Sequence, residues 1–306
     1  MYNKNSGYGL SQLVNLDQNM GGKVIVVGDN NAVADRKDMI QQLMDVDPDG
    51  QLRFYTSLQA AIDGATANAL DTVYLLPGYS ETVTAQIDAD KAGVRIVGLG
   101  FGSLKPTITG NGAIDAIDVS AANVKIENIH FAAPETDAQT SFINVDAAGC
   151  TLKDISGVGS QTAKNVVDCI TVTANADDLT IDGLEIVNRT VAVNSFISLE
   201  GAASTVRLYN IFCFGDVATA GLIDAAKVDY LFMENVNIGV VGTTKPAATL
   251  DSNPEGYARN CNFAGTHGTL ATNANLGNLM RLFDIKVEEN TDGSSQGALI
   301  PAVVTD

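Results

Sequence analysis

The sequence predicts an all-β fold: a single-stranded right-handed parallel β-helix, with a small N-terminal α/β cap and an extended N-terminal arm. Three observations predict it. An eight-residue hydrophobic frame starts at residues 94, 124, 150, 179, 206, 231 and 256, at intervals of 30, 26, 29, 27, 25 and 25 residues. A period in this range marks a solenoid, in which each repeat buries its apolar side only by stacking on its neighbours. The fifth frame position reads Gly98, Asn128, Asp154, Gly183, Asn210, Asn235 and Asn260. These residue types accept a left-handed backbone, so each coil can turn a corner there, and stacked asparagines can hydrogen-bond from coil to coil. A second strand column follows at residues 116–119 (AIDV), 142–145 (FINV), 169–172 (CITV), 196–199 (FISL) and 222–225 (LIDA), after loops of varied length.

Within the frame, positions one, three, six and eight are apolar, as in Val124, Ile126, Ile129 and Phe131, while positions two and seven are mostly polar, as in Lys125 and His130. Period-two alternation on each side of a break describes two short strands joined at a bend. Helical repeats would need longer stretches of 3.6 periodicity than the loops leave room for.

Taken in order, residues 1–22 are polar, rich in Asn and Gly, and read as an arm that a partner orders. Residues 23–70 form the α/β cap. KVIVVG (23–28) is a strand, a helix is expected over 34–44, and the Asp47-Pro48-Asp49-Gly50 run is a turn. Thr56-Ser57-Leu58-Gln59 reads as a capping box opening a helix over 58–66. The β-helix proper spans 71–285, and 286–306 form a C-terminal cap or tail.

Composition agrees with one elongated domain. The chain of 306 residues has 29 Gly, no Trp and a net charge of −18, with a pI near 4.3. Such a charge disfavours nucleic-acid backbones and repels polyanions on average. No apolar run of 18 residues occurs, so no membrane partner is expected, and the N-terminus lacks the apolar region of a secretory signal. Cys150, Cys213 and Cys261 fall at inward frame positions and read as core residues, with no CxxC pair among the four cysteines.

One passage is more specific. GKVIVVGD (22–29), LPGYSETVT (76–84), AGVRIVGLG (92–100) and KPTIT (105–109) resemble the N-terminal entry of pectin-lyase-like parallel β-helix proteins, and most closely β-helix proteins among bacteriophage structural genes. The resemblance covers about residues 22–110. It implies that the helix near residue 58 plugs the open solenoid end, and it implies a virion origin, with synthesis in the bacterial cytoplasm and a place on the particle exterior. The superfamily also contains polysaccharide lyases, which use an Arg or Lys base with Ca²⁺, and hydrolases, which use paired carboxylates.

No stretch reproduces a lyase or hydrolase signature, and no catalytic, cofactor-binding or metal-ligating residue is assigned. Asp118, Asp146, Asp168 and Asp224 are expected to face outward and could stack across coils, sharing Ca²⁺ if they hold any ion; in so acidic a chain such residues are ordinarily a solvated face. Lys125 and Arg207 share a column but lie several coils apart. His130, at an outward strand position, and His267, in a loop, are the two histidines and are far apart in sequence. Residues 27–31 (VGDNN) follow a strand without a phosphate-loop pattern, and Asn188-Arg189-Thr190 is a bare glycosylation sequon. Phe212, Tyr230, Phe232 and Tyr257 cluster on outward positions of the later coils, which suits contact with another chain. The reading is a non-enzymatic bacteriophage virion protein, a capsid decoration or cement protein gripping the major capsid protein through its N-terminal region and packing as a homotrimer. The alternative is a tail-fibre or tailspike protein that binds, and in some cases cleaves, host-surface polysaccharide.

Overall fold

The computed structural model describes residues 22–28, 53–133, 138–159, 166–225, 228–250, 254–266, 273–277, 279–289 and 296–300. Residues 1–21 of the arm, the helix expected over 34–44, the turn at 47–50 and His267 lie outside them. The described chain is an all-β solenoid of about eight turns. Its strands form one 15-stranded sheet and one 8-stranded sheet, parallel throughout except for a final antiparallel strand at Gln296–Ile300.

The frame accounts for the long sheet. In successive coils Arg95 pairs with Lys125, Lys125 with Thr151, Thr151 with Thr180, Thr180 with Arg207, Arg207 with Phe232, and Phe232 with Tyr257. Every coil therefore places its second frame position over the same point. Residues at positions one, three, six and eight line one continuous core, with Ile126, Phe131, Ile181, Leu208, Met233 and Phe263 all fully buried. Each such apolar side chain removed from water contributes roughly 1.5–3 kcal/mol, so stacking coils rather than local strand propensity holds the solenoid.

The fifth position is left-handed as expected at Asn128, Asp154, Gly183, Asn210, Asn235 and Asn260, with φ between 51° and 80°. Part of the asparagine ladder forms. Asn235 donates to Asn210 at 2.9 Å and Asn210 donates to Asp182 at 2.7 Å, the residue beside Gly183, which has no side chain to offer. The first frame departs from the pattern. Gly98 is a strand end without positive φ, and Phe101 is 86% exposed. Residues 99–106 leave the coil, and the second half of the frame is supplied by Thr107 and Ile108, which lie under His130 and Phe131. Asn128 closes this corner by donating to the carbonyls of Gly98 and Gly100, both at 2.8 Å.

The cap helix is shorter than the sequence suggests, Leu58–Asp63, ending at Gly64. Its N-cap is Ser57, whose hydroxyl accepts from the Ala60 amide. Gln59 closes no capping box; it accepts from the Asp88 amide at 2.7 Å and so ties the helix to the first strand of the short sheet. Leu58, Ala61 and Ile62 enter the solenoid core and cover its open end. The preceding strand Val24–Val27 joins the long sheet directly, pairing with Thr72–Leu75. At the other end the parallel ladder runs through Met280–Glu289 before the antiparallel strand closes it.

Candidate functional surface

The short sheet carries the acids singled out in the sequence, and its register decides their roles. Asp118 accepts from Asn144 of the next coil at 2.7 Å. Its carboxyl is raised above the ordinary value by partial burial, and by Asp115, Asp88 and Asp146, against the lowering effect of Asn144. Asp168 accepts from Ser195 at 2.5 Å and from Asn194 at 2.9 Å, and Asp115 accepts from Ser141 at 2.7 Å. One column of the short sheet therefore reads Asp115, Ser141, Asp168, Ser195, with Ser141 donating to Asp115 and Ser195 to Asp168. Ser141, Asp168 and Ser195 are buried, so Asp168 does not face outward as the sequence suggests; its carboxylate is held by these hydroxyl and amide donors instead. Asp146, at a corner, accepts from Thr173 and Asn175.

Asp224 does not face outward. Leu222 pairs with Ile197, so Asp224 lies opposite Leu199 and Leu250 and is 1% exposed. The cause is a bulge: the Gly221 carbonyl accepts from both Phe196 and Ile197 amides, and this slips the register by one residue. A slip of one residue turns every side chain to the opposite face of a strand. The four acids thus occupy separate columns and the core. Asp88, which the sequence reading passed over, is the in-register neighbour of Asp118, and its Oδ1 accepts from Gln86. Among the described residues no group of three or more His, Cys, Asp or Glu side chains converges as a metal site.

All four cysteines are buried free thiols. Burial pushes the Cys261 thiol up to about 11 and raises Cys150, Cys169 and Cys213 as well, the chemistry of core residues rather than nucleophiles. Asn188 of the sequon is fully buried and donates to the Asp216 carbonyl at 2.8 Å, so its amide is inaccessible.

On the long sheet, Lys125 and Arg95 both bind Glu127, at 2.6 and 2.5 Å. Burial alone would raise the Glu127 carboxyl, but these two cations hold it below its ordinary value. Beyond the bend, Lys105 from the 99–106 excursion reaches the Asp154 carbonyl at 2.6 Å. It overhangs a groove of about 390 Å³ lined also by Ser156, Glu185, Asn210 and Phe212. His130 stands 3.0 Å from the Ser156 hydroxyl, and its pKa is lowered by burial and by Lys105, against Glu185.

The late aromatics divide between two faces. Phe212 lies past the bend in the groove just described, while Tyr230, Phe232 and Tyr257 lie before it in a second groove of about 560 Å³. Phe232 and Tyr257 rings meet at 5.3 Å, and Arg259 sits 5.4 Å over the Tyr257 ring and 3.6 Å from Glu234. Leu279, Arg281 and Phe283 complete this groove. Arg281 and Phe283 belong to an eighth frame that the sequence reading missed, starting at Met280 just after Leu279 and turning at Asp284 (φ 52°). The signal was present in Met280, Leu282, Ile285 and Val287, spaced as in the other frames.

No protein-family model matches the chain, and no curated protein matches it. Among solved structures the chain is similar to ORF18 of Geobacillus virus E2, at 13% identity over 77% of this chain, with a TM-score of 0.33. The match spans 61% of that protein's length. At this level the likeness carries no argument about function, and membership of the pectin-lyase-like family is not shown.

Proposed function

We propose that this chain is a non-enzymatic structural protein of a bacteriophage particle, and within that class a capsid decoration protein attached through its N-terminal region. The observation that carries the reading is the use made of the polar groups of the short sheet. Asp115, Asp118 and Asp168 accept hydrogen bonds from Ser141, Asn144 and Ser195, respectively, on the neighbouring coil. Charge-assisted bonds of this kind fasten coil to coil and add stiffness along the whole rod. The motifs of residues 22–110 support the assignment to a phage, and the acidic exterior supports a particle surface that resists stray association. A rigid knob of this type needs only many weak contacts to a repetitive shell, which several linked copies multiply through effective concentration.

The reading is tested on capsids stripped of the protein. The full chain is expected to bind them and to appear on the outer surface by cryo-electron microscopy. A variant lacking residues 1–22 is expected to keep its circular dichroism spectrum and lose binding; full decoration by that variant refutes attachment through the arm. The tail-protein alternative draws on the aromatic groove around Tyr257, since rings beside Arg259 and Arg281 suit a sugar. Release of reducing ends or unsaturated uronates from a polysaccharide panel would favour it and overturn the non-enzymatic reading.

A further inference from the structure

We propose that the outward face of the last coils of the long sheet is a self-association surface, and that its occupant is a second copy of this chain with the two solenoids parallel. Three of the last coils carry an arginine and an aromatic ring two residues apart on the same strand: Arg207 with Tyr209, Tyr257 with Arg259, and Arg281 with Phe283. Residues two apart on a strand point to the same side, so both members of each pair face outward. In parallel register they build two neighbouring columns, one reading Arg207, Phe232, Tyr257, Arg281 and the other Tyr209, Glu234, Arg259, Phe283. Turning a second copy by half a revolution about an axis parallel to the solenoid lays the first column of one copy on the second column of the other. Arginine then meets an aromatic face on three coils, from both directions, the geometry of a cation–π contact.

Charge supports the same occupant. Across the whole chain 36 acidic residues face 18 basic ones, so two copies repel on average. On this face Arg207, Arg259 and Arg281 stand against Asp178, Asp182, Glu234 and Glu255, nearly neutral beside the chain's two-to-one acidic excess, and two pairs already meet at 3.4 and 3.6 Å. A patch this close to neutral on an acidic chain lowers the repulsion that an equally acidic copy meets there. Tyr230 at 47% and Phe283 at 43% exposure, with arginine alongside, are of the types enriched in interface cores, and Leu279 at 53% exposure extends the apolar area beside them. Parallel packing also leaves every N-terminal end on the same side. The self-association does not depend on capsid attachment, and it is measured without capsids.

Sedimentation velocity of the full chain at micromolar concentration tests the surface. A dimer, or a trimer built by the same contact about a three-fold axis, is expected. Arg281→Glu and Phe283→Ser, both at exposed positions, are each expected to weaken association about tenfold or more while leaving the unfolding transition in place. Should one variant misfold, the other still decides. Orientation is read from spin labels on Phe101→Cys, since the native thiols are buried: parallel rods hold the labels at one height, whereas antiparallel rods separate them by most of the rod. A monomer at all concentrations, an oligomer indifferent to both variants, widely separated labels, or a monomer that captures an oligosaccharide in this groove overturns the proposal.

Discussion

The early coils enter the long sheet through a left-handed residue, at Leu70, Gly93, Asn123, Gly149 and Asp178, whereas the coils beginning at Thr205 and Tyr230 enter it already extended, and the one beginning at Glu255 takes its positive φ one residue later, at Gly256. Both halves share the inward frame and the Asn, Asp or Gly bend. The difference lies one residue before the frame. A left-handed corner ends the preceding segment abruptly and suits small or polar side chains, apart from Leu70. An extended entry lengthens the strand and presents its first side chain, Tyr230 or Glu255, on the open face. The early outward face is then consumed internally, by the Arg95, Lys125 and Glu127 cluster and by the small apolar cluster of Val24, Val26 and Phe54. The late face pairs Arg207 with Asp178 and Arg259 with Glu234 but leaves Tyr230, Leu279 and Phe283 about half exposed. A change in corner geometry thus accompanies the passage from a half whose outward groups pair internally to a half whose large outward groups stay exposed.

That contrast can be broken most forcefully in the core, where none is expected. Phe131→Ala in an early coil and Phe263→Ala in a late one each remove a fully buried ring, and each should cost about 3–5 kcal/mol by urea unfolding. Phe131 also stacks on Phe142 at 5.6 Å, so a clearly smaller loss there would show that the inward frame is not shared after all. A middle-sized effect is expected at the bend. Asn128→Ala forfeits the hydrogen bonds to the carbonyls of Gly98 and Gly100 and puts alanine at φ 56°, at a combined cost of about 2–3 kcal/mol. Asn260→Ala pays mainly the backbone part, about 1 kcal/mol, so equal losses at the two sites would contradict the special role of the first corner.

The smallest effect is one of pH and should be confined to the early half. Glu127 in the folded chain has a carboxyl pKa below its ordinary value of 4.5, so the folded state holds that proton less tightly than the unfolded state. The stability it contributes is therefore fully present above the ordinary value and is lost as pH falls through the lower, folded one. Unfolding midpoints of the native chain and of Glu127→Gln should differ at pH 7 and converge toward pH 3. Parallel curves would remove the cluster from the account of the early face.

Much of the fold was legible because the frame is periodic and each position has one physical duty. Ile126 or Leu208 must point inward whatever the loops do, and Asn210 or Asn235 must turn the bend. The surface was less legible. Asp224 reads as an outward acid in its LIDA run, and only the Gly221 bulge turns it inward. Phe101 sits at a core position of the pattern, yet the chain leaves the coil there and Ile108 takes the place. Phe212 and Tyr257 are both outward in sequence, but the bend at the fifth position sends them to different grooves. Arg281 and Phe283 went unread because their frame was not counted, though its spacing was present.

By itself, then, the sequence determined the solenoid, its inward columns and the residue types at its bend, because hydrophobic alternation and left-handed tolerance are local properties. The tertiary structure alone decided which outward residues meet across coils, since that depends on loop length, bulges and corner geometry summed over stacked repeats. Asp168 became a bridging acceptor and Tyr257 part of an open face only once the neighbouring coils were in register.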